Sequence, residues 1–330
     1  MGRRVQCQPE EETMTAQIID GKAIAEHIRQ EITAQVAELA TCGVKPGVAT
    51  ILVGDDAGAQ FYRGQIEKNT DSVGFAYFSH VLPATTSEAE VLELIAKLNA
   101  DPHVHGILAL MPMSPGIDQA KVFNAIDPLK DLDCVNPANI GHVLLGDFLF
   151  APATPSAVME ILDREGVELQ GLDVTVVNHS NIVGKPVALL CLNRNASVHV
   201  VHVFSKDVPA ACREADVLIS AAPVQNLIKG DMVKEGAIVI DVTTIRVEGK
   251  QVGSLDFAAV AERAAKVTPV PGGVGPVTNV ILLQNALKAC KAQTGSRQPF
   301  QRECRCRERA IPAIRHQPRW PVACILGMWR

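Results

Sequence analysis

The sequence predicts an α/β protein of two domains, both built on parallel strands with helical crossovers. Three observations carry that expectation. Segments with a 3.6-residue apolar period alternate with short β-rich runs. The alternation starts afresh after Thr154-Pro155. A chain of 330 residues, 47% apolar and 20% charged, can bury one large core or two ordinary ones.

In the first series Ala23, Ile24, Ile28, Ile32, Val36 and Leu39 fall on one face and predict an amphipathic helix over 21–40. A strand at 48–53 follows, then a helix at 60–72, a strand at 77–81, a helix at 87–99 and a strand at 106–110. The second series runs helix 156–165, strand 174–177, helix 185–192, strand 197–203, helix 208–215 and strands 217–220 and 237–242. A β-prone stretch at 265–268 and an apolar helical pattern at 280–290 close it. Strands separated by helices pair in parallel, because each crossover returns the chain to the same end of the sheet. This topology places the boundary near residue 150. The first domain is expected to span 14–150, completed by a helix at 280–294, and the second 151–279.

Charge and composition narrow the function classes. No run reaches the roughly 18 uncharged apolar residues of a membrane span, and the opening segment lacks the apolar core of a secretory signal, which predicts a cytoplasmic protein. The nine cysteines include no C-x-x-C pair, so neither a disulfide framework nor a metal site is expected. The net charge is −5, but residues 297–330 hold eight arginines and two glutamates, +6, leaving −11 for the rest. Arginine with interleaved tryptophan is one nucleic-acid pattern. That tail has no helical or strand period, however, so 297–330 and 1–13 read as disordered extensions and a nucleic-acid partner is not expected.

Two loops carry chemistry. Residues 269–278 read P-V-P-G-G-V-G-P-V-T, where glycine allows positive φ and close ligand approach while proline fixes the backbone. Such clusters also mark plain turns, but this one follows a β-prone stretch and so falls where open α/β sheets bind ligands. The strand at 174–177 leads into N-H-S-N-I-V-G-K-P and a helix, a geometry that gathers N–H groups around an anion. The full G-x-G-x-x-G fingerprint is absent, with Gly184 alone remaining, and a simple βα loop is the other reading.

With these motifs in view, the chain resembles the bifunctional methylenetetrahydrofolate dehydrogenase/methenyltetrahydrofolate cyclohydrolase (FolD) family over about residues 14–292. The resemblance rests on I-I-D-G-K at 18–22, V-G-D-D at 53–56, H-G-I-L at 105–108, K-D-L-D at 130–133, A-T-P-S at 153–156, S-N-I-V-G-K-P at 180–186 and the 269–278 loop. It implies an N-terminal parallel-sheet α/β catalytic domain, a Rossmann-like NAD(P)-binding domain, a folate substrate between them and a homodimer. It further implies that Tyr62, Asp133, Pro271, Gly272 and Gly273 meet a tetrahydrofolate derivative, and that Asn178, His179, Ser180, Gly184, Ser205 and Thr244 meet NADP.

The departures fall on the chemistry. The family pattern Y-x-x-x-K is Tyr62-Arg63-Gly64-Gln65-Ile66, and the family glutamine is Leu110. Lys68 lies about 120° from Tyr62 around a helix and cannot replace the lysine. The family G-R-S is Asn178-His179-Ser180, so the guanidinium fork for a 2′-phosphate is gone and NAD becomes an alternative cofactor. The expected function is NADP-dependent oxidation of methylenetetrahydrofolate with the cyclohydrolase step reduced or lost. The alternative from another class is an inert folate- or nucleotide-binding homologue acting as partner or sensor.

Overall fold

A computed structural model describes residues 16–295. The extensions expected at 1–13 and 297–330 lie outside the described residues. In chain order the elements are β1 (Gln17–Ile18), α1 (Gly21–Thr41), β2 (Gly47–Val53), α2 (Ala57–Ser72), β3 (Ala76–Leu82), α3 (Glu88–Ala100), β4 (Gly106–Ala109), α4 (Gln119–Ala125), α5 (Pro137–Leu145) and α6 (Ala153–Arg164). There follow β5 (Asp173–Val177), α7 (Gly184–Leu192), β6 (Ser197–Val201), α8 (Val208–Glu214), β7 (Val217–Ser220), β8 (Ile238–Asp241), β9 (Ile245–Val247), β10 (Lys250–Val252), α9 (Phe257–Ala261), β11 (Lys266–Val267) and α10 (Val274–Gln293).

Helix starts are set by short polar side chains. Asp20 accepts hydrogen bonds from the N–H groups of Lys22 and Ala23, Asp56 from that of Ala59, and Ser87 and Glu90 form a reciprocal capping box on α3. The smaller sheet has the order β3-β2-β4, all parallel. Every residue of β2 is buried, as expected of a central strand covered on both faces, whereas β3 alternates.

The larger sheet runs β1-β11-β8-β7-β5-β6, again parallel. From β5 the chain goes to β6 on one side and to β7 on the other, so the strand order reverses beside β5 and opens a crevice at the carboxyl ends. The two halves interleave: β1 joins the larger sheet through Gln17 opposite Lys266, and one hydrophobic core runs from Ile24 through Leu110 and Val174 to Cys290. Among the described residues no helix is long and apolar enough to cross a membrane.

Three sequence expectations are corrected. The strand expected to reach 203 ends at Val201, because Ser205 turns the chain away by accepting from the His202 N–H and donating its own N–H to the His202 carbonyl. The last helix begins at Val274 rather than 280, with Pro276 in the first turn, where a missing N–H costs nothing. β1, α4, α5, α9 and the β9–β10 hairpin were not anticipated, being too short or too irregular in apolar period to register.

Candidate active site

α2 places Tyr62 and Ile66 one turn apart and treats them differently. Ile66 is 2% exposed and belongs to the central core together with Leu110 and Leu132, while Tyr62 stays 37% exposed. Lys68 is exposed on another face of the helix. Leu110 leaves the end of β4, its N–H donated to the Ile51 carbonyl at 2.9 Å. Both positions are therefore filled by buried apolar side chains.

Asp133 is held on a loop fixed by its neighbours. Asp131 is fully buried and accepts from the N–H groups of Val135 (3.2 Å) and Asn136 (2.8 Å) and from Asn139 Nδ2 (2.9 Å). Lys130 reaches back with Nζ to the carbonyls of Leu98 and Asp101 at the end of α3. Leu132 packs against Gly106, where a Cβ would collide with its side chain, so the glycine of H-G-I-L is a packing requirement. From α10, Asn285 Nδ2 donates to the Leu132 carbonyl (3.0 Å) and the Ala151 carbonyl (3.1 Å).

The electrostatics follow from this enclosure. Burial, with the charge of Asp131 second, raises the Asp133 carboxyl to about 7. Burial, with the charge of Asp133 second, pushes the Tyr62 hydroxyl well above the usual phenol range. Tyr62 and Asp133 are thus close enough to couple, and no hydrogen bond from the described residues reaches the Asp133 carboxylate. The pair can hold a polar, planar heterocycle by stacking and by paired hydrogen bonds to a carboxylate.

The 269–273 loop sits at the carboxyl end of β11, where the sequence placed it. Gly272 has φ of +111°, open to glycine and strained for other residues. A Cβ on Gly273 would meet the Pro269 carbonyl at 2.6 Å, and one on Gly21 would run into the Gly273 carbonyl, so this loop rests on the start of α1. Lys22 passes beside it, its Cε 3.6 Å from where a Gly272 Cβ would be.

At the second loop Asn178 has φ of +118°. Its side chain is turned back onto the loop: Nδ2 donates to the Ala221 carbonyl (2.7 Å) and Oδ1 accepts from the Ser180 N–H (3.0 Å). Ser180 Oγ accepts from the Gly184 N–H at 3.2 Å, and a Cβ on Gly184 would strike the Asn178 carbonyl. His179 is exposed at this turn, Ser205 lies across the sheet end in the turn after β6, and Thr244 is exposed beyond β8. Asp241, at the end of β8, is buried and saturated by the N–H groups of Thr243, Ser254 and Leu255 and by Ser254 Oγ.

Residues 19–133 match the tetrahydrofolate dehydrogenase/cyclohydrolase catalytic-domain model, and residues 152–294 match the tetrahydrofolate dehydrogenase/cyclohydrolase NAD(P)-binding-domain model. The chain belongs to the tetrahydrofolate dehydrogenase/cyclohydrolase family. It is 50% identical to the bifunctional protein FolD 2 of Geobacter sulfurreducens over 86% of this chain and 100% of that one. A FolD crystal structure from Campylobacter jejuni superposes with a TM-score of 0.82 at 39% identity, covering 84% of this chain and 99% of that one. The Trypanosoma brucei FolD complexed with NADP and an inhibitor gives 0.80 at 38% identity over 85% and 99%.

Sequence reasoning for this family member missed the residues that hold the site rather than touch a ligand. Asn285 is the clearest: one amide amid the apolar face of α10 signals a buried partner, but not which one.

Proposed function

We propose that this protein oxidises methylenetetrahydrofolate to methenyltetrahydrofolate with NADP in folate one-carbon metabolism, and that its cyclohydrolase step is reduced or lost. The observation that carries this reading is the pairing of Tyr62 and Asp133 beside Ile66 and Leu110: a polar clamp next to a wall that moves no protons. In this reading residues 14–150, completed by the 280–294 helix, carry the folate and 151–279 the dinucleotide.

The dinucleotide fits the second half. Gly184 lets the start of α7 pack directly against the Asn178 carbonyl, where a Cβ would collide, Asn178 takes the positive φ the turn needs, and the crevice lies where the strand order reverses. Asn178, His179, Ser180, Gly184, Ser205 and Thr244 line that edge. A nicotinamide dinucleotide held by these residues would supply the hydride acceptor for the methylene carbon. Tyr62 stacks on the pterin, Asp133 takes its amino-pyrimidine edge, and Pro271, Gly272 and Gly273 close the cleft above it. Hydride transfer needs alignment of two carbons and no lysine. Opening the methenyl ring by water needs an acid–base group, which neither Ile66 nor Leu110 supplies, and such groups contribute about 10²- to 10⁴-fold.

Purified protein given methylenetetrahydrofolate and NADP is expected to form reduced nicotinamide while methenyltetrahydrofolate accumulates. Folate binding without turnover would select the inert reading, against which the enzyme names of the relatives weigh. The double substitution Ile66→Lys with Leu110→Gln is expected to raise hydrolysis about 10²-fold. An unchanged rate in the folded variant would reject the assignment of these two positions.

A cytoplasmic homodimer completes the reading. β3 is paired on one edge among the described residues, and Val81 on it is 54% exposed. A second copy against this edge would satisfy its backbone groups. Val81→Lys is expected to halve the mass measured by light scattering, and a monomeric wild type would overturn the dimer.

A further inference from the structure

Neighbouring strands β7, β8 and β11 of the larger sheet end in a buried polar cluster centred on Asp241. Ser220 closes β7, Asp241 closes β8 and Thr268 follows β11, and none of these is more than 2% exposed. The Asp241 carboxylate accepts four hydrogen bonds. Oδ1 takes the Thr243 N–H and the Ser254 hydroxyl, each at 2.9 Å, and Oδ2 takes the N–H groups of Ser254 (2.7 Å) and Leu255 (3.3 Å). Ser254 Oγ also lies 2.7 Å from Ser220 Oγ. Every donor to the carboxylate is an N–H or O–H group and none is a cation, so these bonds alone satisfy the buried group.

The backbone of Asp241 is tied as well. Its N–H donates to Thr268 Oγ1 at 2.7 Å. Thr268 is the residue before the 269–273 loop, and a Cβ on Gly273 would meet the Thr268 Cβ at 2.8 Å, so the loop folds back onto it. One side chain and its own N–H therefore hold the segment leaving β8 at Thr243, the return from the β9–β10 hairpin at Ser254 and the root of the glycine loop.

Packing leaves this arrangement to the hydrogen bonds. A cavity of about 150 Å³ lies between Asp241, Gly253, Leu255, Phe257, Pro269 and Val270. Groups that face a hollow lose contacts on that side, so the underside of the loop depends on the Thr268 bond. Gly253 admits the carboxylate, since a Cβ there would strike Asp241 Oδ2.

Resting on the hydride-transfer reading above, we propose that Asp241 is a positioning residue. It joins the segment that presents Thr244 to the dinucleotide with the loop that presents Pro271, Gly272 and Gly273 to the folate, so that the two ligands bind as a matched pair. At 2% exposed it acts through these segments rather than on a ligand. Two loops tied to one carboxylate order together, and a ligand that orders one leaves less ordering for the other. Such coupling is reciprocal and amounts to about 5- to 150-fold in affinity.

The test is titration calorimetry of the full chain with NADP and tetrahydrofolate, a pair that cannot react because the methylene carbon is missing. In the wild type each ligand is expected to bind at least about five-fold more tightly when the other is present. Asp241→Asn keeps the size of the side chain but sets an NH₂ group among donors. It should abolish the coupling while each ligand alone binds within about two-fold of wild type. Single-turnover reduction of NADP by methylenetetrahydrofolate should then show a rate constant about 10²-fold lower. Misfolding would instead lower the amplitude and the binding stoichiometry at an unchanged rate constant. Should Asp241→Asn misfold, Ser254→Ala decides, because it removes one bond to the carboxylate and should weaken the coupling in the same direction. Thr175→Val loses a buried bond to the Ala211 carbonyl in the same sheet and should lower stability with the coupling intact. Independent binding in the wild type, coupling that survives in the folded variant, or an equal loss in Thr175→Val overturns the proposal alone. A wild type that fails to bind either ligand, or to reduce NADP, overturns the hydride-transfer reading with it.

Discussion

Asp133 combines two opposite pH dependences in one side chain. Its carboxyl is raised by burial to about 7 in the folded chain, so the native state binds a proton that the unfolded state has already released. Stability from this group is therefore complete below the ordinary carboxylate range and declines as pH rises through 7. In the proposed folate site recognition runs the other way, since only the ionised carboxylate can accept two hydrogen bonds from one planar edge. Affinity for a tetrahydrofolate is expected to be about ten-fold weaker at pH 6 than at pH 8. Asp133→Asn should weaken binding and flatten the profile; equilibrium binding at fixed ionic strength decides it, and a flat wild-type curve would reject the role. Ile66 offers a matching stability test. A lysine there enters a site that is 2% exposed, so Ile66→Lys alone should lower stability by about 3–5 kcal/mol in urea unfolding. A milder loss would mean that the site opens to water more readily than its packing implies.

Elements of strong period were readable in the sequence, and those of weak or short period were not. α1 has six apolar residues on one face and lay within one residue of its expected end, while α3, expected over 87–99, runs Glu88–Ala100 behind a Ser87–Glu90 capping box that its period did not reveal. α5 is a different case. Its residues P-A-N-I-G-H-V-L-L leave Leu144 and Leu145 exposed, so burial imposes no clean period on it, and its start is fixed by the Asn136 cap and its end by Gly146 at φ +72°. β1 is two residues long and exists because β11 is there to receive it, which no local pattern can announce. The same holds for the site. The glycine loop stood out in the sequence, and Tyr62 and Asp133 through the family resemblance, but what positions them is long-range, and Asn285 binds carbonyls more than 130 positions away. Asn285→Leu leaves the Leu132 and Ala151 carbonyls without this buried donor and should cost about 2–4 kcal/mol. Because Leu132 adjoins Asp133, the folate KM should rise while NADP affinity holds; equal losses on both ligands would mean general unfolding instead.

At the scale of the molecule, the two halves share their framework. β1, from the amino end, is an edge strand of the larger sheet. α10, from the carboxyl end, hydrogen-bonds through Asn285 to the loop carrying Asp133, and Lys291 Nζ near its end reaches Gln35 Oε1 on α1 at 2.7 Å. The hydrophobic core that contains Ile66 and Leu110 also contains Val174, Ile219 and Ile240 of the larger sheet. Neither half can lose its core without opening the other's. Thermal unfolding of residues 16–295 within the full chain is therefore expected to be one cooperative transition, with calorimetric and van't Hoff enthalpies in agreement. Ligand linkage sharpens the test, since NADP binds one half but should shift the midpoint of the whole, by about 2.7 kcal/mol of added stability at a hundred-fold excess over its dissociation constant. Scanning calorimetry with and without NADP distinguishes the outcomes. A single peak that moves as a unit supports the shared core, and two peaks of which NADP moves only one would show the halves to be energetically separate.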